Sequence, residues 1–457
     1  MKRRALVVSN DHVGKTMAGP GIRSYHFAVE LARDFDVTLV VPFDTDLTDV
    51  PFEVVHDNPW DPARMSARVR GYEVVVTQHL PVSTMRTLAR LPTRVVYDLY
   101  SPATLEQLPF DAREEHSTYR DAMAQLNSLT QEAALATGDA FVCASEKQRD
   151  FWLGALASAR RLDRASYQRD PSLRALIDVV PFGIDPDPPE PGPALRGVVP
   201  GIEAGDKLLL WPGGIWNWFD PLTVIRAVHA LSLRRDDIRL YFLGVKHPNP
   251  HIPDMAMAGE AVALADELGL RDRVVFFNFG WVPYAERGRY LLEADVAVSA
   301  HFDDVETRFA FRTRFLDCLW AGLPIVATRG DTLGELIVAG GGGSAVDVGD
   351  VDGWVEALEI MLDDPSTQRR ARLATAALRP SLEWPVVVAP LRHLADAAAT
   401  SARPVGLGPA AEVEYFRLRL RIGLARHGLS GSARRVLTRA SGAARRRLGW
   451  RAGPRVP

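Results

Sequence analysis

The chain has 457 residues, of which 47% are hydrophobic and 24% are charged, and its formal net charge is −3. Single hydrophobic cores stop growing at about 250 to 300 residues, so this length predicts two large domains. The composition is globular and excludes a disordered chain. With Cys143 and Cys318 as its two cysteines, the sequence offers neither a disulfide framework nor a cysteine zinc site, which fits the reducing cytoplasm.

The hydrophobic segments are short. The apolar run after the basic start, residues 5–9, ends at Asn10 and is too short for the core of a signal peptide. No run reaches the ~18 apolar residues of a membrane-spanning helix. We therefore expect a cytoplasmic protein without a membrane span, and we interpret residues 5–9 as a first β-strand.

Residues 1–185 alternate short β-branched runs with amphipathic stretches, the pattern of a parallel sheet flanked by helices. Apolar residues recur at helical spacing over residues 21–33, which predicts a helix between the first two strands. The predicted strands cover residues 5–9, 37–41, 73–77, 94–97, 140–143 and 179–185. The sequence thus predicts a first α/β domain over residues 1–185.

A proline-rich segment follows, and residues 186–200 are expected to form a stiff linker. Beyond it the alternation resumes, and a second α/β domain is predicted over residues 201–398. Its predicted strands cover residues 207–211, 239–243, 273–277, 296–299 and 325–327. Parallel sheets bind ligands at the carboxyl ends of their strands, so two such domains predict a site in the cleft between them.

Gly19 and Gly21 stand at the start of the first predicted helix and are followed by Arg23. The glycines lie about ten residues past their strand, whereas a dinucleotide-binding loop follows its strand immediately. Two interpretations remain open. The segment is either a flexible turn or a loop whose backbone N–H groups face an anion at the helix N-terminus.

Gly213 and Gly214 directly follow the first strand of the second domain. A helix is expected to begin at Pro221 with Asp220 as its N-cap. Paired glycines let a backbone approach a ligand closely. Because Trp216 stands in the same loop, we interpret the loop as one wall of a ligand site, with a plain turn as the alternative.

Arg312 and Arg314 precede a predicted helix that contains Asp317. Forked guanidinium groups and the positive end of a helix dipole both favour phosphate oxygens, so the cluster predicts a diphosphate site. The alternative is that these arginines are surface charges paired with acidic neighbours such as Glu306.

Other polar residues give weaker signals. His79 and Asp98 fall at the carboxyl ends of predicted strands of the first domain, where catalytic groups are often found. Adjacent acidic residues at 236–237 and 303–304 lie in predicted turns. We expect those carboxylates to be solvated, and we expect no metal site.

Three segments resemble motifs of the retaining family-4 glycosyltransferases. Residues 316–326 resemble the helix and strand LEAMACGLPVV, residues 181–185 are similar to the crossover PNGVD, and residues 295–299 are similar to the strand ADVFVLPS. With the early glycine loop, the resemblance covers residues 1–398 in consistent order. It implies the GT-B fold, in which two Rossmann-like domains face each other across a cleft. It also implies transfer of a sugar from a nucleotide diphosphate sugar, as co-substrate, to an acceptor with retention and without a further cofactor.

The resemblance implies a donor in the second domain and an acceptor against the first. The residues expected to bind the donor are Gly213, Gly214, Trp216, Lys246, Glu306, Phe311, Arg312, Arg314 and Asp317. Those expected on the acceptor side are Gly19, Gly21 and Arg23, and the catalytic candidates are Asp98, His79 and Arg312.

The sequence departs from the family at two points. The family has two glutamates eight positions apart, and here Asp317 stands at the second while Phe309, which cannot hydrogen-bond a sugar, stands at the first. Glu306 is the candidate replacement. The family's Arg and Lys after the glycine loop are also missing, so Lys246 and the arginine cluster would supply that charge. Two alternatives therefore stay open: a nucleotide-sugar epimerase or hydrolase of the same fold, and a non-catalytic partner subunit.

The C-terminal segment, residues 399–457, is basic. Thirteen arginines and two glutamates over residues 401–457 give it a charge of +11, against −14 for the rest of the chain. Residues 411–427 place apolar side chains on one helical face, and residues 433–448 repeat the arrangement. The apolar residues of the first face are Val413, Phe416, Leu420 and Leu424.

Basic amphipathic helices bind anionic membrane surfaces. We therefore expect membrane contact through residues 411–451, a peripheral location at the inner face of the membrane, and a sugar or lipid-linked acceptor in cell-envelope polysaccharide or glycolipid synthesis. The alternatives are a helix pair packed on the acidic body and a disordered basic end. Nucleic-acid binding is not expected, because few aromatic residues accompany the arginines.

Overall fold

The computed structural model describes residues 2–112, 117–245, 254–397 and 410–426. Seven parallel strands form the first sheet, in the order β3-β2-β1-β4-β5-β6-β7. They are β1 (Arg4–Val8), β2 (Asp36–Val41), β3 (Glu53–His56), β4 (Val74–Thr77), β5 (Arg94–Asp98), β6 (Ala140–Cys143) and β7 (Ile177–Val179). The helices around it are α1 (Gly19–Leu31), α2 (Pro62–Arg68), α3 (Val82–Leu88), α4 (Ala103–Ala112), α5 (Thr118–Thr137), α6 (Glu146–Ser158) and α7 (Arg164–Arg169).

Six parallel strands form the second sheet, in the order β10-β9-β8-β11-β12-β13. They are β8 (Lys207–Trp211), β9 (Ile238–Phe242), β10 (Val275–Phe277), β11 (Val296–Ser299), β12 (Ile325–Thr328) and β13 (Gly343–Val346). Its helices are α8 (Pro221–Ser232), α9 (Ala256–Glu267), α10 (Arg287–Glu293), α11 (Val305–Phe309), α12 (Arg314–Trp320), α13 (Thr332–Ala339), α14 (Val351–Asp363) and α15 (Pro365–Leu378). The short helices α16 (Trp384–Val387) and α17 (Ala389–Asp396) follow, and α18 covers residues 410–426.

The two sheets share one topology. In each, the strand order reverses next to the first strand, between β1 and β4 in one sheet and between β8 and β11 in the other. Open parallel sheets bind ligands at the carboxyl ends of their strands at such a reversal. The predicted fold of two Rossmann-like α/β units is confirmed, and each unit presents one such crevice.

The sequence reasoning missed the two edge strands β3 and β13. The side chains of β3 are exposed or half-buried, so its apolar signal is weak. The start of β13 lies in a glycine run that reads as a loop, yet a Cβ on Gly343 would lie 1.9 Å from the Ile325 carbonyl oxygen. Glycine is therefore what allows β13 to approach β12. The predicted strand at residues 179–185 is also shifted, since β7 ends at Val179 and Pro181 lacks the N–H that a strand would use.

The chain crosses twice between the units, and the two crossings pair with each other. The Ile184 amide donates to the Leu382 carbonyl at 2.8 Å, and the Trp384 amide donates back to Ile184 at 3.0 Å. After the second crossing, α17 packs on the first sheet, where the Arg94 guanidinium donates to the Leu394 carbonyl. Residues 384–396 thus return to the first unit. None of the helices in the described ranges is long and apolar enough to span a membrane.

Candidate active site

A cavity of about 370 Å³ lies between the two units, a size typical of small-molecule sites. The loops that follow β1, β5, β8 and β9 all contribute to its wall, so it lies at the carboxyl ends of both sheets. Of the residues singled out in the sequence, those that line it are Gly19, Gly213, Gly214, Trp216, Glu306, Phe309, Phe311, Arg312, Arg314 and Asp317. The cavity therefore brings most of the expected donor site together. Lys246 lies outside the described residues.

The glycine loop after β8 adopts a conformation that suits a close approach to a ligand. Gly213 has φ of +120°, which L side chains rarely adopt. The Gly214 carbonyl accepts a 2.7 Å hydrogen bond from Nη2 of Arg314. Asp220 caps α8 as expected, because its carboxylate accepts from the Thr223 amide at 3.1 Å. The loop is thus held between a helix cap and a buried arginine.

Arg314 is buried in the cavity wall, and no carboxylate of the described residues pairs with it directly. Asp331 acts on its charge electrostatically. Its guanidinium lies 3.7 Å from the ring centre of Phe219, and Nη1 has no hydrogen-bond partner in the described part of the chain. Burial, together with the charge of Arg312, lowers the pKa of Arg314 to about 9, so the group stays charged at neutral pH. An unpaired buried cation is costly unless an anion binds it.

Arg312 is a second buried arginine of the wall. Both carboxylate oxygens of Glu306 accept hydrogen bonds from its guanidinium, at 3.1 and 2.7 Å. This is the pairing with an acidic neighbour that the sequence left open as an alternative. Its Nε has no partner among the described residues. The pair places a carboxylate and a guanidinium side by side in the cavity. Arg308 is exposed and lies outside the cavity wall.

Asp317 belongs to an ion-pair network that the sequence did not indicate. Nε of Arg287 donates to the Asp317 carboxylate at 2.9 Å, and Nη2 of the same arginine donates to Asp185 at 3.2 Å. Arg287 also stacks over the rings of Tyr284 and Trp320. Because Asp185 lies at the first crossing between the units, the network connects the cavity to that crossing. Arg287 stands 30 residues before Asp317, so no local pattern links them.

Phe309, which stands where the family has glutamate, packs against the first unit. Its ring lies 5.4 Å from that of Phe151, and its carbonyl accepts from Nε2 of Gln148 at 2.9 Å. Its ring and Phe311 both contribute apolar surface to the cavity. Glu306 is the carboxylate of α11 that faces the cavity, as the sequence comparison with the family suggested.

Tryptophans form an aromatic wall beside the glycine loop. The rings of Trp216 and Trp218 stack in parallel, 5.1 Å apart, and both line the cavity. Trp281 packs along the backbone of the loops after β8 and β9, where a Cβ on Gly244 would come within 3.1 Å of its ring. Flat apolar surfaces of this kind bind nucleobases and sugar faces.

The candidates of the first unit are placed differently. Arg23 is 0% exposed and pairs with Asp98 through two hydrogen bonds of 2.7 and 2.8 Å, and neither side chain lines the cavity. A Cβ on Gly21 would lie 2.0 Å from the His12 carbonyl oxygen, so this glycine serves the packing of α1. His79 is half-buried outside the cavity wall, and burial lowers its pKa to about 4. Of these residues only Gly19 reaches the cavity.

Glu106 of α4 is a cavity residue that sequence reasoning missed. It is half-buried and faces the Glu306–Arg312 pair from the first unit. Burial, reinforced by Glu306, raises the pKa of Glu106 to about 7. A single glutamate in a helix gives no motif, so only the packing of α4 against α11 reveals it.

Comparison with known proteins shows which family the second unit resembles. Residues 206–364 match the model of the family described as Glycosyl transferases group 1. The chain is 29% identical over 216 residues to a D-inositol 3-phosphate glycosyltransferase from Mycobacterium sp. (strain KMS). That match covers 46% of this chain and 44% of the relative, so the chain spans less than half the length of the curated relative it matches.

Solved structures share the whole architecture. WaaG, a glycosyltransferase involved in lipopolysaccharide biosynthesis, superposes with a TM-score of 0.57 at 17% identity, over 87% of this chain and 100% of WaaG. HepE of Anabaena, solved with UDP and glucose, superposes with a TM-score of 0.59 at 14% identity, over 86% of this chain and 98% of HepE. At these identities the likeness concerns the fold. The chain therefore has the GT-B architecture and carries a group 1 glycosyltransferase domain in its second unit.

Proposed function

We propose that the protein transfers a glycosyl group from a nucleoside diphosphate sugar to an acceptor held in the cleft, with retention at the anomeric carbon. The observation that carries the proposal is Arg314, a buried cation beside the Gly213–Gly214 turn that forms no direct ion pair within the described part of the chain. A diphosphate at this position would satisfy the guanidinium and approach the glycine backbone. One charge-assisted contact of this kind contributes about 1.5 to 3 kcal/mol.

The chemistry asks the protein mainly to stabilise a leaving group. The bond between the anomeric carbon and the β-phosphate oxygen breaks, and the electron pair stays on the phosphate. Arg314 and Arg312, whose side chains are buried in the cavity wall, are placed to balance that growing charge. The acceptor hydroxyl oxygen bonds to the anomeric carbon on the same face, and its proton passes to the leaving phosphate.

The rest of the donor can be assigned by chemistry. Asp317 would accept hydrogen bonds from ribose hydroxyls, and the tryptophan wall would cover the base. Glu306 would take the sugar hydroxyls that the missing family glutamate binds, as a carboxylate already held by Arg312. Gly19 and Glu106 stand on the acceptor side of the cavity. The site needs no metal for these contacts.

The test is binding followed by turnover. Purified full-length protein is titrated calorimetrically with UDP and with other nucleoside diphosphates, and UDP is the first probe because HepE was solved with it. Arg314→Gln is expected to weaken binding at least about tenfold. Arg329→Gln is the matched control, an exposed arginine of the same unit that pairs with Asp347 outside the cavity. If both variants bound nucleoside diphosphates with the affinity of wild type, the assignment of the diphosphate to this cavity would be wrong.

Turnover separates the remaining alternatives. Nucleotide sugars are incubated with and without candidate acceptors, and NMR of the product reports the anomeric configuration. Donor that is hydrolysed or epimerised without transfer would favour the epimerase or hydrolase. Tight nucleotide binding without any turnover would favour a non-catalytic subunit, for which Phe309 in place of glutamate is the motivating residue.

The cellular part of the proposal rests on the basic C-terminal segment. We place the enzyme at the inner face of the membrane, in contact with anionic lipid through residues 411–451, and acting on a lipid-linked acceptor in cell-envelope polysaccharide or glycolipid synthesis. WaaG, a protein of the same fold, is named for lipopolysaccharide biosynthesis. Of residues 411–451, those after 426 lie outside the described part of the chain.

A further inference from the structure

Helix α18 is docked on the first unit by a face that the sequence pattern did not single out. Tyr415 and Leu418 are buried in the same hydrophobic core as Leu126 of α5. Glu412 pairs with Arg86 of α3 at 2.5 Å, and Arg421 donates to Gln125 of α5 at 3.2 Å. The helix is therefore held on the first unit by an apolar contact with a polar contact on each side of it.

Three of the four residues of the apolar face expected from the sequence point away from the protein, whereas the fourth, Leu424, is half-buried. Val413, Phe416 and Leu420 are 67%, 57% and 53% exposed. Their spacing places them along one side of the helix, so they form a continuous ridge. We call these three side chains the ridge. The helix thus has two apolar faces, and the protein body covers only one of them. Large apolar side chains aligned in the open mark an interaction surface.

The charges around the ridge are positive. On α18, Glu412 pairs with Arg86 and Glu414 pairs with Arg417, so both acidic residues of the helix are balanced by arginines. Arg419, Arg421 and Arg426 add further positive charge. Residues 427–457 contain eight arginines and no acidic residue. A partner that binds this surface should therefore offer both an apolar region for the ridge and negative charge for the arginines.

Two occupants from this protein itself fit poorly. The segment 427–457 carries the same positive charge as α18, so its packing on the ridge would bring arginines together. A second copy would bring identical basic helices into contact, and three side chains are far fewer than the 20 to 30 residues that a stable interface of about 800 Å² per partner involves. A lipid surface needs no such area from one helix, because arginine and apolar side chains act there together.

We propose that the ridge of α18 inserts into the headgroup region of an anionic lipid bilayer, and that the docked face of the helix holds the first unit against that bilayer. The inference rests on the membrane part of the proposed function and assigns its contact surface. The apolar side chains enter the boundary between headgroups and acyl chains, while the arginines stay at the phosphates. Because α18 is already folded on the body, its binding does not require the ordering of a free peptide.

This contact would also orient the acceptor side of the cleft relative to the bilayer. Helix α18 packs on α5, and Asn127 of α5 donates to Gln107 of α4, next to the cavity residue Glu106. The unit held at the bilayer is thus the one expected to receive the acceptor. A lipid-linked acceptor would then reach the cleft while the donor enters from the aqueous side.

The test compares two triple variants of the full-length protein. The ridge variant is Val413→Ser, Phe416→Ser and Leu420→Ser. The matched control is Leu233→Ser, Leu336→Ser and Leu373→Ser, which removes three exposed leucines of the second unit. Each is sedimented with vesicles of phosphatidylcholine alone or mixed with phosphatidylglycerol, at low and at high salt. Melting temperatures are measured in parallel to show that both variants fold.

We expect wild type and control to bind the anionic vesicles at low salt, and the ridge variant to bind at least about tenfold more weakly at an unchanged melting temperature. Anionic binding of the ridge variant equal to wild type would overturn the inference and assign the contact to the arginines alone. Dimerisation in solution that the ridge substitutions abolish would overturn it in favour of a second copy. If wild type bound RNA as strongly as anionic vesicles, charge alone would explain the contact, and the inference would also be overturned.

The same proteins separate this inference from the enzymatic proposal. UDP binding measured without vesicles depends on the cavity, and the ridge lies outside it. The ridge variant is expected to bind UDP like wild type. A ridge variant that loses vesicle binding but keeps normal UDP affinity would support both proposals. A wild-type protein that binds vesicles normally but binds no nucleotide would support the membrane surface and contradict the donor site.

Discussion

The two units repeat one topology, yet they use buried arginines in opposite ways. In the first unit, Arg23 is buried and pairs with the Asp98 carboxylate through two hydrogen bonds, although its Nη1 has no partner among the described residues. In the second, Arg314 lies in the cavity wall and makes no ion pair within the described ranges. The charge of a buried cation with its own counter-ion is compensated within the fold, whereas a buried cation without a counter-ion leaves a place for an anionic ligand. Position in the fold alone would not have separated them.

The largest expected effect comes from breaking the structural pair. Asp98→Ala leaves the Arg23 charge buried and uncompensated, so we expect a loss of about 3 to 5 kcal/mol in the free energy of unfolding. Urea denaturation measures it. Asp396→Ala is the control, because its partner Arg3 and Asp396 itself are exposed and such pairs contribute about 1 kcal/mol or less. An Asp98→Ala protein of normal stability that has lost turnover would instead place Asp98 in the chemistry.

Next in size is the effect expected at Arg314, the arginine that we propose binds the diphosphate. Arg314→Gln should weaken nucleoside diphosphate binding by about 1.5 to 3 kcal/mol while stability is unchanged or increases, since a buried unpaired charge is removed. Calorimetric titration and thermal melting read the two quantities separately. A destabilised protein with normal affinity would make Arg314 equivalent to Arg23 and erase the contrast between the units.

A pH effect of about 1 to 2 kcal/mol on the free energy of unfolding is expected from Glu106, because the side chain is only half-buried and solvent screening reduces what its full pKa shift would give. Its pKa is raised to about 7 from an ordinary 4.5, so the folded protein keeps a proton that the unfolded chain has already released. Stability should therefore fall as the pH rises from about 4.5 to about 7, and Glu106→Gln should flatten that part of the profile. Glu335→Gln, an exposed glutamate paired with Lys147, serves as the control. Parallel profiles for wild type and Glu106→Gln would show that Glu106 is solvated.

The smallest effect is expected at Asp317. Asp317→Ala should lower nucleotide affinity by about 1 kcal/mol, through the ribose, with little loss of stability. Arg287 keeps its second carboxylate partner, Asp185, in this variant. Nucleoside monophosphate and inorganic diphosphate are titrated side by side, and only the ligand with a ribose should lose affinity. A large fall in melting temperature would identify Asp317 as a structural partner of Arg287.

Local patterns in the sequence predicted the repeated α/β architecture and several of the residues that line the cavity. Short apolar runs, the glycine pair after β8 and the Asp220 cap each involve only a few neighbouring residues, so they could be recognised in the sequence directly. The arginines at the start of α12, Arg312 and Arg314, were found in the same way. These features sit at strand ends, where topology makes position predictable.

The tertiary structure alone decided which charges are free and which faces are covered. Arg23 and Asp98 are 75 residues apart in the sequence, and Arg287 and Asp317 are 30 residues apart. Neither pair could therefore be predicted from local sequence spacing. The exposed ridge of α18 was likewise not decided by periodicity, because Tyr415 and Leu418 offered a second apolar face. The sequence determines where apolar and charged groups stand along the chain, but burial and pairing depend on what the rest of the chain brings against them.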